Sequence, residues 1–143
     1  MPQSNRYRTY FDEAWKKVIE RFFPKFLLFF APKLYQDVDF SKRFVFLDKE
    51  LGQLSKKSLK GAKFVDKLVK VYLKDGSEQW LLVHIEVQGE AEVDFSLRMF
   101  RYFYRIFDQH GTPVVSIAVV TGSGSWIPVP KYEMKVYDSG VEF

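Results

Sequence analysis

The sequence predicts an α/β fold, a mixed β-sheet flanked by helices, and three observations carry that expectation. A helix-spaced aromatic stripe opens the chain, two apolar runs meet at Asp75-Gly76-Ser77, and an amphipathic segment closed by Gly111 leads into the apolar run Pro113–Thr121. Helix, hairpin, helix and strand in that order bring the last strand beside the hairpin through a helical crossover. No internal repeat is present, and residues 1–143 read as a single domain.

Phe11, Trp15, Val18, Phe22, Phe26 and Phe29 step by four, three, four, four and three, which is one apolar stripe of an amphipathic helix packed on the sheet. A helix lying on a membrane surface is the competing reading of that stripe. Thr9 and Asp12 have the spacing of a capping box with Thr9 as N-cap. Pro24 ends or kinks the helix near Phe23, or stands at N1 of a second short helix through Phe30. Residues 31–43 have the composition of a loop. A further helix is expected over Leu47–Ser55, where Leu47, Leu51 and Leu54 share one side and Gly52 weakens it. Lys56, Lys57, Lys60 and Lys63 then surround Gly61 as a solvated turn or a phosphate contact.

Ala62–Lys74 and Glu78–Gly89 form the hairpin. A two-residue Asp75-Gly76 loop pairs Lys74 with Ser77 and sends Asp66 and Glu86 to opposite faces. A three-residue loop with Gly76 left-handed and a G1 bulge pairs Lys74 with Glu78 and sets Asp66 opposite Glu86. Alternation favours the second, because it gathers Val65, Val69, Val71, Leu73, Leu81, Val83, Ile85 and Val87 on one core face, with Lys67 and Gln79 as exceptions. Asp94–His110 is a helix ended by Gly111 at its C-cap, and Pro113–Thr121 has the continuous apolarity of a strand buried on both faces. The tail turns strand-like after Ser125 and stops in mid-pattern at Phe143, as a C-terminally truncated piece of a longer chain would.

Composition removes several function classes. With 47% hydrophobic residues and 18% aromatics over 143 positions, the chain can bury a core, which excludes disordered and low-complexity architectures. Absence of cysteine excludes a disulfide framework, a thiolate nucleophile and a Cys-type zinc site. The apolar stretch Phe22–Pro32 is broken by Pro24 and Lys25 and is far shorter than the roughly 20 residues of a membrane span. Charged residues from Asp12 to Arg21 are incompatible with a secretion signal, so a cytoplasmic protein is expected, with no membrane partner. A net charge of +4 favours a polyanionic partner mildly.

Asp66 and Glu86 are the chemically suggestive pair. Carboxylates opposed across two strands repel, and a hard cation, Mg²⁺ or Mn²⁺, relieves that repulsion through oxygen ligands. The alternative is a pair of half-exposed acids satisfied by Lys70, Lys67 or Arg98. Arg98, Arg101, Tyr102 and Arg105 recur at helical spacing on one face, suited to phosphate contacts or simply solvated, while Phe95, Met99, Phe103 and Ile106 form an apolar stripe. DNA contacts are expected from Arg101, Arg105, Lys60 and Lys63. His84 is expected to be packed and hydrogen-bonded, and His110 to complement a helix C-terminus. No serine has a histidine and an acid in a recognisable arrangement, and the glycines of residues 122–126 lack the lysine of a phosphate loop.

Asp66 in FVDKLVKVYLKDG, Glu86-Val87-Gln88 in WLLVHIEVQGE and the following DFSLRMFRYFYRIFD resemble the PD-(D/E)XK nuclease superfamily, in particular its Rpn-like branch of recombination-promoting nucleases and transposase-like proteins. The resemblance spans about Asp12 to Thr121. It implies a restriction-endonuclease-like core of αβββαβ type and Mg²⁺-dependent DNA hydrolysis. Asp66 and Glu86 would then be metal ligands, the Val87 carbonyl a third, and Gln88 the residue positioning the water. Glu50 would match an auxiliary helix acid, and Arg98 and Tyr102 residues beside the site. Gln88 stands where the superfamily has lysine, as is usual in this branch, Val65 replaces the proline of the motif name, and one N-terminal strand is unplaced. The expected function is a metal-dependent endodeoxyribonuclease related to mobile-element and recombination proteins. The alternative is a catalytically inactive DNA-binding or assembly module on the same fold, and a homodimer is allowed for.

Overall fold

The computed structural model describes the backbone of residues 2–56, 65–87, 95–121 and 132–143, and the side chains of these except 2–9, 11, 12, 54–56, 65, 66, 85–87, 95, 120 and 121. Ten elements follow in order: α1 (Pro2–Phe30), α2 (Pro32–Asp37), β1 (Val45–Phe46), α3 (Asp48–Lys56), β2 (Val65–Tyr72), β3 (Glu78–Val87), α4 (Phe95–His110), β4 (Val114–Thr121), β5 (Glu133–Val136) and β6 (Ser139–Glu142). β1, β2, β3 and β4 lie in that order in one sheet, antiparallel except for the parallel β3–β4 pair that α4 connects. The fold is therefore α/β with a mixed four-stranded sheet, and the crossover joins the strands that the sequence predicts it to join.

The hairpin closes one step inside the predicted pairing. Leu73 N–H donates to the Ser77 carbonyl at 2.8 Å and Gly76 N–H to the Leu73 carbonyl at 2.9 Å, so the loop is Lys74-Asp75-Gly76. Gly76 adopts φ +89°, which only glycine takes at little cost, and as the third loop residue it fixes Leu73 and Ser77 as the closing pair. Asp66 accordingly faces His84, not Glu86. Because the pairing moves by two residues in sum, the division of side chains between faces survives.

The Ser77 hydroxyl and N–H both donate to Asp75 Oδ1, at 2.6 and 2.8 Å, and hold its carboxyl below the usual value of 3.8. A carboxyl lowered in the folded state stabilises the turn above its unfolded pKa, and the contribution disappears as pH falls through the folded value. Asp75→Asn is therefore expected to flatten the acid limb of stability below about pH 4 in thermal unfolding scans.

Both faces of the sheet are covered. Ile19, Phe23, Phe26 and Leu27 of α1 pack on Val69, Val71, Leu81, Val83 and Val119, and the opposite face buries Leu68, Leu82 and Val114 under Leu51 of α3 and Met99, Tyr102 and Ile106 of α4. The exceptions on the α1 face are both satisfied. Lys67 Nζ reaches Glu20 of α1 at 2.5 Å and Asp48 of α3 at 3.1 Å, and Gln79 Nε2 donates to the Trp80 and Pro113 carbonyls. Burial pulls the Lys67 ammonium down, but the hydrogen bonds and charges of Glu20 and Asp48 outweigh it and hold the group above 10.5. The contribution of the raised Lys67 ammonium is present at neutral pH and is lost as pH rises through the raised value.

Several expectations need correction. α1 begins well before Thr9, which lies inside the helix and not at its N-cap. Its docked stripe is Trp15, Ile19, Phe23, Phe26 and Leu27, while Val18, Phe22 and Phe29 are exposed. Phe22 leaves helical geometry (φ −125°, ψ 28°), which removes the clash a straight helix would impose between the Pro24 ring and the Glu20 carbonyl and rotates the second half. Pro24 then sits in the first turn of the restarted helix, where its missing N–H costs least. Residues 31–43 are not wholly loop, since Pro32 opens α2 and Val38 bridges to Leu73. β4 is an edge strand with Val115 and Ala118 exposed, so it is not buried on both faces. After residue 131 the tail makes a separate β5–β6 hairpin, held to α4 by Tyr132 stacked on Phe100 and Phe143 tilted against Phe103, with ring centres 5.0 Å apart in each pair.

Candidate functional site

The predicted acids occupy backbone positions of β2 and β3 next to His84, which is buried on the sheet face that α3 and α4 cover. Asp66 is registered against His84, and Glu86 follows His84 by two residues in β3, so the three are neighbouring register positions of the β2–β3 pair. Asp66 and Glu86 are diagonal rather than opposed, a separation of about 7–8 Å for such positions. β4 contributes Ala118 beside His84 and Val120 beside Glu86, and Val87 pairs with Thr121. The predicted direct opposition of the two acids is thus replaced by a triad of positions with His84 at its centre.

His84 and Arg98 are the best-defined polar pair of this face. His84 is fully buried and Arg98 is 3% exposed, with the guanidinium Nη2 2.9 Å from His84 Nε2. Arginine can only donate, so His84 accepts at Nε2 and carries its ring proton on Nδ1. A charged residue on the inward side of α4 is tolerated because its guanidinium meets this acceptor. Sequence spacing grouped Arg98 with Arg101, Tyr102 and Arg105 as one surface. The structure divides them: Arg98 and Tyr102 are buried toward the sheet, Arg105 is half-buried along Tyr104, and Arg101 is exposed. The inward stripe of α4 is Arg98, Met99, Tyr102 and Ile106, with Phe103 only half-buried.

α3 packs on this same face through Leu51 and carries Glu50, half-buried, one residue before it. Of the three cations named as alternative partners for the acids, Lys67 lies on the α1 face with Glu20 and Asp48 and Lys70 stands 3.7 Å from Glu78, while Arg98 is on the His84 face. His110 lies in the last turn of α4, as expected, with its ring 5.0 Å from that of Trp80. Gln88, Lys60 and Lys63 fall outside the described residues, as do the side chains of Asp66 and Glu86. Among the described residues no group of three or more acidic or histidine side chains could hold a metal ion.

Two residues escape sequence reasoning in part. His84 is legible as a packed histidine, but not as the partner of Arg98, which is 14 positions away. Lys67 is the one charged residue on a face that is apolar except for Gln79, and that interruption is the available signal of a buried clamp. The His84–Arg98 bond is expected to show in a double-mutant cycle with His84→Ala and Arg98→Ala, followed by denaturant unfolding. Direct contact predicts a coupling of about 0.5–3 kcal/mol, whereas additive losses would show that the two side chains act separately.

Among the described residues no helix is long and apolar enough to cross a membrane. Comparison with models of known protein families, with curated proteins and with solved structures finds no match to this chain.

Proposed function

We propose that the chain is a divalent-metal-dependent endodeoxyribonuclease of restriction-endonuclease-like architecture. The observation that carries this reading is the register that sets Asp66 against His84 with Glu86 two residues beyond it, together with the buried Arg98 of the crossover helix that bonds His84. The order α1, α2, β1, α3, β2, β3, α4, β4 supports it as well, since with the short α2 and α3 set aside it has the helix and strand sequence that an αβββαβ core would have.

The donor set fits a hard cation. Two carboxylates on one face and the backbone carbonyl of Val87 offer oxygen atoms only, the preference of Mg²⁺ and Mn²⁺. Such an ion, when bound, polarises a phosphodiester and acidifies a water. Asp66, Glu86 and Val87 would hold it, and Gln88 would orient the water. Arg98 fixes positive charge on this face through its bond to His84 without occupying a ligand position. Exposed Arg101 and half-exposed Arg105 extend along α4 toward a DNA backbone, a role in which arginine contributes through paired donors.

Incubation of supercoiled plasmid with the chain and Mg²⁺ or Mn²⁺ tests this function. Nicking that requires the metal is expected. Salt-sensitive DNA binding with no metal-stimulated cut would assign instead the inactive DNA-binding module.

A further inference from the structure

α1 leaves a second apolar strip uncovered on the side away from the sheet. Phe29 is 79% exposed, Leu28 52%, Phe22 47% and Val18 40%, an arrangement unlike the scattered single hydrophobics of an ordinary surface. Cations interleave with them: Lys17, Arg21 and Lys25 are exposed along the same helix, and Lys25 Nζ lies 5.9 Å from the Phe22 ring centre. Lys33 is exposed just beyond the helix end. The nearby acids counter this charge little, because Glu20 is tied to Lys67 and Glu13 lies more than a turn before Phe22.

We propose that this face of α1 docks on an anionic lipid surface. Phenylalanine and leucine enter the headgroup–acyl boundary while lysine and arginine stems keep their charges at the lipid phosphates, the division of labour of an interfacial helix. Nothing in this requires a span. Charge sets the choice against a second copy of the chain, since a self-contact would press Lys17, Arg21 and Lys25 against their own equivalents. Chemistry sets it against single-stranded nucleic acid, because stacking rewards aromatic rings alone and Val18 and Leu28 would gain nothing from bases. The face lies across the sheet from Asp66 and Glu86, so the proposal is independent of the nuclease reading. The aromatic stripe that the sequence offers as a lipid contact is relocated, because Phe26 is buried in the core.

Co-sedimentation of the 143-residue chain with phosphatidylcholine vesicles, with and without phosphatidylserine, tests the proposal. Binding is expected only where phosphatidylserine is present. Phe29→Ser is expected to weaken it about tenfold, and Lys25→Glu about fivefold or more, both with unchanged circular dichroism because neither side chain is in the core. Absence of binding, binding to neutral vesicles equally, or binding untouched by both substitutions overturns the proposal. So does a concentration-dependent dimer, or retention on single-stranded oligonucleotide, that Phe29→Ser abolishes.

Discussion

Asp66→Asn and Glu86→Gln are each expected to lower the metal-dependent cleavage rate by about a thousandfold or more, with little change in stability. The rate effect follows from removing an anionic oxygen from a metal site. Lewis-acid stabilisation of a phosphoryl transition state is worth several kcal/mol, and about 4 kcal/mol is a factor of a thousand. The stability effect has a different origin. Acids sharing one sheet face repel by a few tenths to about 1 kcal/mol, and neutralising one of them relieves part of that. Thermal unfolding of either variant should therefore stay within about 4 °C of the parent. Structural acids held in ion pairs would behave oppositely, losing stability while leaving any nuclease activity intact. Activity retained in both variants would end the nuclease reading.

Phe23→Ala carries the largest expected loss of stability, about 3–5 kcal/mol, or a Tm lower by roughly 10 °C for a chain of this size. Phe23 is fully buried at the restart of α1 after the Phe22 kink. Its ring lies 4.8 Å from Phe44 and 5.9 Å from Phe46, and these two rings lie 5.9 Å from each other at 89°. Truncation therefore leaves a cavity between α1, β1 and the sheet, and β1, only two residues long, has little else to hold it. Phe22→Ala provides the contrast. Half-exposed and outside this cluster, Phe22 should cost less than about 1 kcal/mol. Equal losses from the two substitutions, measured by differential scanning calorimetry, would show that α1 docks through the other stripe.

The contrast between Phe22 and Phe23 also shows where sequence reasoning stops. Phe22, Phe23, Phe26 and Phe29 make α1 apolar over a wide arc, and periodicity alone identifies a helix without saying which part of the arc meets the sheet. The kink that Pro24 requires then turns one half relative to the other, an effect no fixed 3.6-residue period captures. The central hairpin was more legible, because alternation of valine, leucine and isoleucine separates two faces under either three-residue closure. Its closing pair depended on recognising that Gly76 is the third loop residue, which moves Asp66 from Glu86 to His84. β1 carries too few residues for any pattern to appear. Arg98 resembles its solvated neighbours on α4, and only the fold brings His84 beneath it. The proposed oxygen-donor role of Asp66 and Glu86 rests on residue types and on the resemblance to PD-(D/E)XK nucleases, whereas the return of β4 beside the hairpin followed from the helix between.

Titration of the chain with Mn²⁺, followed by electron paramagnetic resonance of the free ion, tests the central claim most directly because it needs neither DNA nor turnover. Saturable binding by the parent chain, lost when Asp66→Asn and Glu86→Gln are combined in a variant that still unfolds cooperatively, is the result predicted. Failure of the parent to bind Mn²⁺, or equal binding by the double variant, would contradict it.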